Sequence, residues 1–110
     1  MQILINTGQH IQSGANLTRE IQGAVGAALQ RFGDRITRVE LYLKDERGPG
    51  ERDDDVCCLI EARAAGFRPV AVRHQAATVG QALHGAVTKL ERLLQGIFAR
   101  RRRAVDAYGH

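Results

Sequence analysis

The chain has no tryptophan, and its only aromatic residues are three Phe and two Tyr among 110 residues. Its interior must therefore rest on Leu, Ile, Val and Ala, and the 44% hydrophobic content is enough for one domain. No apolar run approaches the ~20 residues that span a bilayer. The N-terminus has no basic stretch followed by a long apolar one, so no signal peptide is expected. Cysteine is confined to Cys57 and Cys58. On a strand these neighbours point to opposite faces, and a bridge between them would strain the backbone. Reduced thiols and a cytoplasmic location are expected.

Chemistry-bearing patterns are scarce too. His10, His74, His84 and His110 lack metal-ligand spacing, and Cys57-Cys58 has no nearby Cys or His with which to hold zinc. The segment GERDDD (50–55) lacks EF-hand spacing, and three consecutive loop acids are ordinarily just solvated. No Ser-His-Asp, Cys-His or carboxylate pair sits in a catalytic motif, and the glycines form neither a Walker loop nor a dinucleotide fingerprint. The expectation is a binding protein without catalysis, cofactor, metal, small-molecule substrate or membrane partner.

What is abundant is arginine. Fourteen of the sixteen basic residues are Arg, and the formal net charge is +4. Residues 45–55 hold six acids (Asp45, Glu46, Glu51, Asp53, Asp54, Asp55) against Arg47 and Arg52, a sum of −4. The remainder therefore carries +8, from the +4 total minus −4. Acid gathered in one segment leaves a basic surface whose natural partner is a polyanion. Arg suits that role because its planar guanidinium grips phosphate bidentately and stacks on bases.

Periodicity outlines the elements. Ile3, Leu4 and Ile5 mark a first strand over 1–7, apolar enough on both faces for a central position. Leu17, Ile21, Val25, Ala28 and Phe32 recur at steps of three and four, which predicts a helix over 16–32. Asn16 or Thr18 is placed to cap it and Gly33 to stop it. Gly23 and Gly26 within it lower helix propensity unless they allow close packing on a sheet. Val39, Leu41 and Leu43 alternate with Arg38, Glu40, Tyr42 and Lys44, a strand with one wet face. A second alternating strand is predicted over 56–65, with Cys58, Ile60 and Ala62 on one side. Gly66-Phe67 is the expected turn. A further strand follows over 68–75, with Pro69 suited to its start or to an edge. Thr78 can cap a last helix with the stripe Leu83, Val87, Leu90, Leu94 and Ile97 or Phe98, ending near Arg100–Arg103. The expected fold is α+β, in the order β-α-β-β-β-α. It has an antiparallel four-stranded sheet with two helices packed on one face. One domain over 1–104 and a short tail over 105–110 are expected.

Three stretches carry a family resemblance. MQILINTGQHI (1–11), FGDRITRVELYLK (32–44) and TKLERLL (88–94), in this order and spacing, resemble the ribosome hibernation-promoting and ribosome-associated inhibitor proteins. The likeness extends over residues 1–103. It implies a fold similar to double-stranded-RNA-binding domains with an extra first strand. It also implies binding to the small ribosomal subunit at the decoding region, and inhibition of translation under stress. Members of the family usually have Asp, then Tyr, then Ala-Ile-Asp at the start of the last helix. Here those positions resemble Thr78, Gly80 and Ala82-Leu83-His84. The separate dimerisation domain of long family members is not expected.

Folded RNA is recognised through phosphates and shape. The candidate RNA-binding residues are Arg19, Arg31, Arg35 and Arg38 on and beyond the first helix, and Lys89, Arg92, Arg100, Arg101, Arg102 and Arg103 on the last. With the helices side by side, these bases can flank a common groove. The plainer alternative is a solvated helix face, although four consecutive Arg exceed what a helix C-terminus needs. Tyr42, on the wet strand face, can stack on a base, but a lone strand Tyr more often packs across its neighbours. Two other functional classes stand beside the ribosome reading. One is a free double-stranded-RNA binder, which would want a Lys-Lys-x-Ala-Lys signature that is missing here. The other is a regulatory or protein-interaction module that docks through the acidic 45–55 loop.

Overall fold

The computed structural model describes residues 1–8, 11, 14–45 and 56–108. The acidic connection over 46–55, His10 and His110 lie outside them.

The first unit is a strand, a helix and a strand: β1 (Gln2–Thr7), α1 (Ala15–Leu29) and β2 (Ile36–Asp45), with a 3-10 segment at Gln30–Arg35. A helical crossover returns the chain in its original direction, so β1 pairs parallel with β2, Ile3 opposite Val39 and Ile5 opposite Leu41. β3 (Val56–Ala64) and β4 (Val70–Ala76) add antiparallel, and α2 (Val79–Tyr108) completes the order. The strands lie in the order β1-β2-β3-β4.

The α+β class and element order are as expected, but two details differ. The sheet is mixed rather than antiparallel, because α1 intervenes between β1 and β2. β1 is an edge strand, not a central one. Its Ile3 and Ile5 pack against the core, while Leu4 alternates to the other face, so an apolar run here marks proximity to neighbours rather than a central place.

Both apolar stripes meet on one face of the sheet. Ile21, Val25, Leu29 and Phe32 come from the α1 side and Leu83, Val87, Leu90, Leu94 and Phe98 from α2. They close over Val39, Leu41, Leu43, Cys58, Ile60 and Ala62. Fully burying each large aliphatic side chain contributes about 1.5–3 kcal/mol, so this layer accounts for the fold without tryptophan. Both cysteines are free and buried.

The helix ends show which local signals operate. Thr78 Oγ1 accepts from Gln81 N at 3.1 Å, the expected N-cap bond. α1 has Gly14 at its N-cap and no side-chain cap; Asn16 and Thr18 already lie inside the helix, past the position from which a side chain can cap. Gly33 has φ 60 and Gly66 φ 81, where an L side chain would be strained. α2 continues through Arg100–Arg103 to Tyr108, so the predicted tail from residue 105 is helical through Tyr108. Ala104, Val105, Asp106 and Ala107 include no breaker, and Gly109 is the first glycine after Gly96. Gly23 and Gly26 have open space where a Cβ would stand, so they are not close-packing positions. Gly85 is: an added Cβ would fall 2.1 Å from the His74 ring.

Candidate nucleic-acid interface

The arginines on the helix side are organised by phenylalanine. All three Phe of the chain meet beneath them. Phe32 and Phe98 have ring centroids 5.4 Å apart, and Phe67 meets Phe98 edge-on at 4.8 Å. Phe32 comes from the 3-10 segment, Phe67 from the β3–β4 turn and Phe98 from α2, so the cluster joins three elements.

Guanidinium groups lie over this row. Arg35 sits 4.2 Å from the Phe98 centroid, and its Nε donates to the Phe32 carbonyl at 3.1 Å. Arg31 lies 5.2 Å from the Phe32 centroid and donates to Gln95 Oε1 at 3.0 Å. At the other end Arg101 lies 4.1 Å from the Phe67 centroid and donates to the Gly66 carbonyl at 3.1 Å. Each cation–π contact contributes about 0.5–1 kcal/mol at an exposed site. Its larger effect is to hold a charged group in one place while hydrogens on its terminal nitrogens remain for an outside acceptor. Arg31, Arg35 and Arg102 line one cavity of about 270 Å³ with Phe32, Gln95, Phe98 and Ala99. Arg31 also meets Glu91 at 3.4 Å, a solvent-facing pair of the kind that contributes about 0–1 kcal/mol.

The other predicted site residues are dispersed. Arg19, Arg92, Arg100 and Arg103 are exposed on their helices. Successive residues turn by about 100° around a helix, so Arg100–Arg103 encircles α2 instead of forming one patch: Arg101 goes to the Phe67 end and Arg102 to the Arg31 cavity. Lys89 Nζ donates to the Arg73 carbonyl at 2.8 Å and thus braces α2 on β4. Arg38 is on the opposite, open side of the sheet, where it pairs with Glu40 at 2.7 Å and has a buried Nε without a hydrogen-bond partner.

Among the described residues, no Lys or Arg lines the groove between α1 and α2. Its walls are Ala24, Ala27, Ala28, Leu83, Val87 and Thr88, with Glu20 and Glu91 among them and a volume of about 490 Å³. Arg19 and Arg92 are adjacent in sequence to these acids, and the helical turn per residue carries them out of the groove. Gly80 and His84, two of the positions where the sequence departs from the family pattern, also line it.

The phenylalanine support was absent from the sequence reading, although spacing signalled part of it. Phe98/Arg101 is an i,i+3 pair and Phe98/Arg102 an i,i+4 pair on α2, the separations that share a helix face, whereas Phe32 and Arg35 lie on either side of Gly33, whose φ of 60 interrupts the helical path. No local spacing brings Phe67 to Phe98.

This is an α+β domain with an arginine surface built on a phenylalanine cluster. No protein-family model and no curated protein matches the sequence. Solved structures do share its fold. One is the N-terminal domain of Protein Y from Thermus thermophilus, at TM-score 0.68 and 21% identity, covering 88% of this chain and 99% of that one. Another is a ribosomal subunit interface protein from Coxiella burnetii, at TM-score 0.66 and 18% identity, covering 90% and 99%.

Proposed function

We propose that the chain is a ribosome-associated factor of the hibernation-promoting and ribosome-associated inhibitor family. It binds small-subunit ribosomal RNA near the decoding region and thereby inhibits translation. The observation that carries this reading is the cavity shared by Arg31, Arg35 and Arg102 over Phe32 and Phe98. It gathers hydrogen-bond donors for phosphate on a fold otherwise seen in a ribosomal subunit interface protein. Duplex and folded RNA present phosphates at fixed separations, and the Arg31 and Arg35 guanidinium groups, held in place beside Arg102, meet them with less entropy lost than free side chains. Arg101 extends the surface along the Phe67 end.

Co-sedimentation with purified ribosomal subunits across a salt series tests this. The expected result is stoichiometric binding to the small subunit that weakens steadily as salt rises, because phosphate neutralisation releases counterions. Absence of binding at low salt overturns it.

A further inference from the structure

The sheet has two outer edges, and the chain treats them differently. β4 is preceded by Arg68 and Pro69 and carries Arg73. Lys89 reaches from α2 to the Arg73 carbonyl at 2.8 Å. Charge, a neighbouring proline and a covered main-chain group all keep an edge from pairing with another chain. β1 is not guarded in this way. Gln2–Thr7 contains no charged residue and no proline, whereas β2, β3 and β4 each carry charge. Among the described residues no strand pairs with its outer side.

The groups that this edge presents follow from the ladder. Gly8 N donates to the Leu43 carbonyl at 2.8 Å and continues the parallel pairing of β1 with β2. Peptide groups alternate sides along a strand, so Gln2, Leu4 and Asn6 turn theirs toward β2. Ile3, Ile5 and Thr7 turn theirs outward, away from the sheet. Side chains alternate between the two faces. Ile3 and Ile5 pack against the core under the helices, while Gln2, Leu4 and Asn6 lie on the open face. Gln2 and Asn6 are exposed, and the three residues between them are half-buried.

About Leu4 the strand reads alike in both directions: amide, isoleucine, leucine, isoleucine, amide. We propose that β1 pairs antiparallel with β1 of a second copy of this chain, about a two-fold axis at Leu4, joining two four-stranded sheets into one. In that register Leu4 meets Leu4 of the second copy, Ile3 meets Ile5, and Gln2 meets Asn6. The outward peptide groups of Ile3 and Ile5 then exchange main-chain hydrogen bonds with those of Ile5 and Ile3 of the second copy. Their side chains continue the apolar layer from one copy to the next. The Gln2 and Asn6 amides, each both donor and acceptor, meet on the open face. A foreign strand has no reason to match this order, whereas a two-fold interface requires self-complementarity. The chain carries net charge +4, so two copies repel over most of their surface and meet best along an uncharged strand. A single short strand buries less area than a stable dimer needs, so the pairing is weak and reversible. It does not depend on the ribosome reading above.

Sedimentation velocity from about 10 µM to about 1 mM should show a reversible rise from monomer to dimer. Gln2→Glu/Asn6→Lys sets opposite charges against each other across the axis and should tighten the dimer about tenfold. Gln2→Glu/Asn6→Glu sets like charges there and should weaken it about tenfold. With oxidised glutathione, Leu4→Cys should cross-link as a dimer, because the two residues at the axis stand about 5 Å apart. Asn6→Cys should not, because its counterpart lies about 14 Å away along the strand. The wild-type cysteines are buried and give no such product. A monomer throughout the range, the same response from both charge variants, or equal cross-linking of the two cysteine variants overturns the proposal. Should Leu4→Cys fail to fold by circular dichroism, the charge variants at the exposed Gln2 and Asn6 still decide the matter.

Discussion

The two sides of the sheet both carry arginine, and they hold it in opposite ways. On the helix side Arg35 and Arg101 are supported by phenylalanine rings, which position a guanidinium without neutralising it, while Arg31 adds an exposed pair with Glu91 to its ring contact. On the open side Arg38 is paired with Glu40, two residues on in the same strand. A strand places residues i and i+2 on one face, so its wet side brings opposite charges together whenever they alternate in sequence. A helix end and a turn can instead bring distant rings under a cation. Arginine content alone therefore says little about binding capacity; what lies beneath each guanidinium decides it.

That comparison can be broken first at Phe98, which lies between Phe32 and Phe67 and beneath Arg35. Phe98→Ala should destabilise the protein by about 3–5 kcal/mol in urea unfolding, since it empties a buried aromatic site. The milder Phe98→Leu should retain the fold and loosen Arg35. Next, Arg31/Arg35/Arg102→Ala should weaken small-subunit binding by about a hundredfold, on the basis of charge-assisted hydrogen bonds at about 1.5–3 kcal/mol each, shared among three partly solvated groups. Arg38→Ala should leave that binding within the wild-type range, because Arg38 is on the other side; an equal loss there would erase the distinction between the faces.

Glycine gives a sharper, smaller contrast. Gly85→Ala should cost about 1–3 kcal/mol by forcing the His74 ring away, whereas Gly26→Ala, with open space at its Cβ, should stabilise by about 0.5–1 kcal/mol. Thermal melts of the two variants read the opposite signs. The two faces of β3 differ in chemistry as well. Burial in the core, with Cys57 beside it, pushes the Cys58 thiol up to about 12 from an ordinary 9. Its contribution to stability is complete below pH 9. Above that the unfolded chain ionises this thiol while the folded chain does not, so stability falls as pH rises toward about 12. Cys58→Ala should flatten that decline in the urea midpoint relative to wild type.

Much of the fold was legible because burial imposes periodicity. The alternation of Val39, Leu41 and Leu43, the α2 stripe from Leu83 to Phe98, and the Thr78 cap are local consequences of one-sided burial and helix geometry. The place of β1 was not legible, since a short apolar run reads alike at an edge and in the centre. Nor was the end of α2, because four consecutive Arg resemble a terminus while nothing in Ala104–Ala107 obliges the helix to stop. The candidate arginines were named from charge, and charge cannot distinguish a cation resting on Phe98 from one spent on Glu40.

By itself, then, the sequence determined which residues face the core, the order of the elements and the excess of arginine outside residues 45–55, all properties set by neighbours within a few positions. Only the tertiary structure decided that β1 pairs parallel with β2, that Phe67 from a turn meets Phe98 from a helix, and that Arg31, Arg35 and Arg102 share one cavity while Arg38 lies across the sheet. These depend on contacts between residues far apart in the chain, and no local pattern encodes the direction from which a distant side chain arrives.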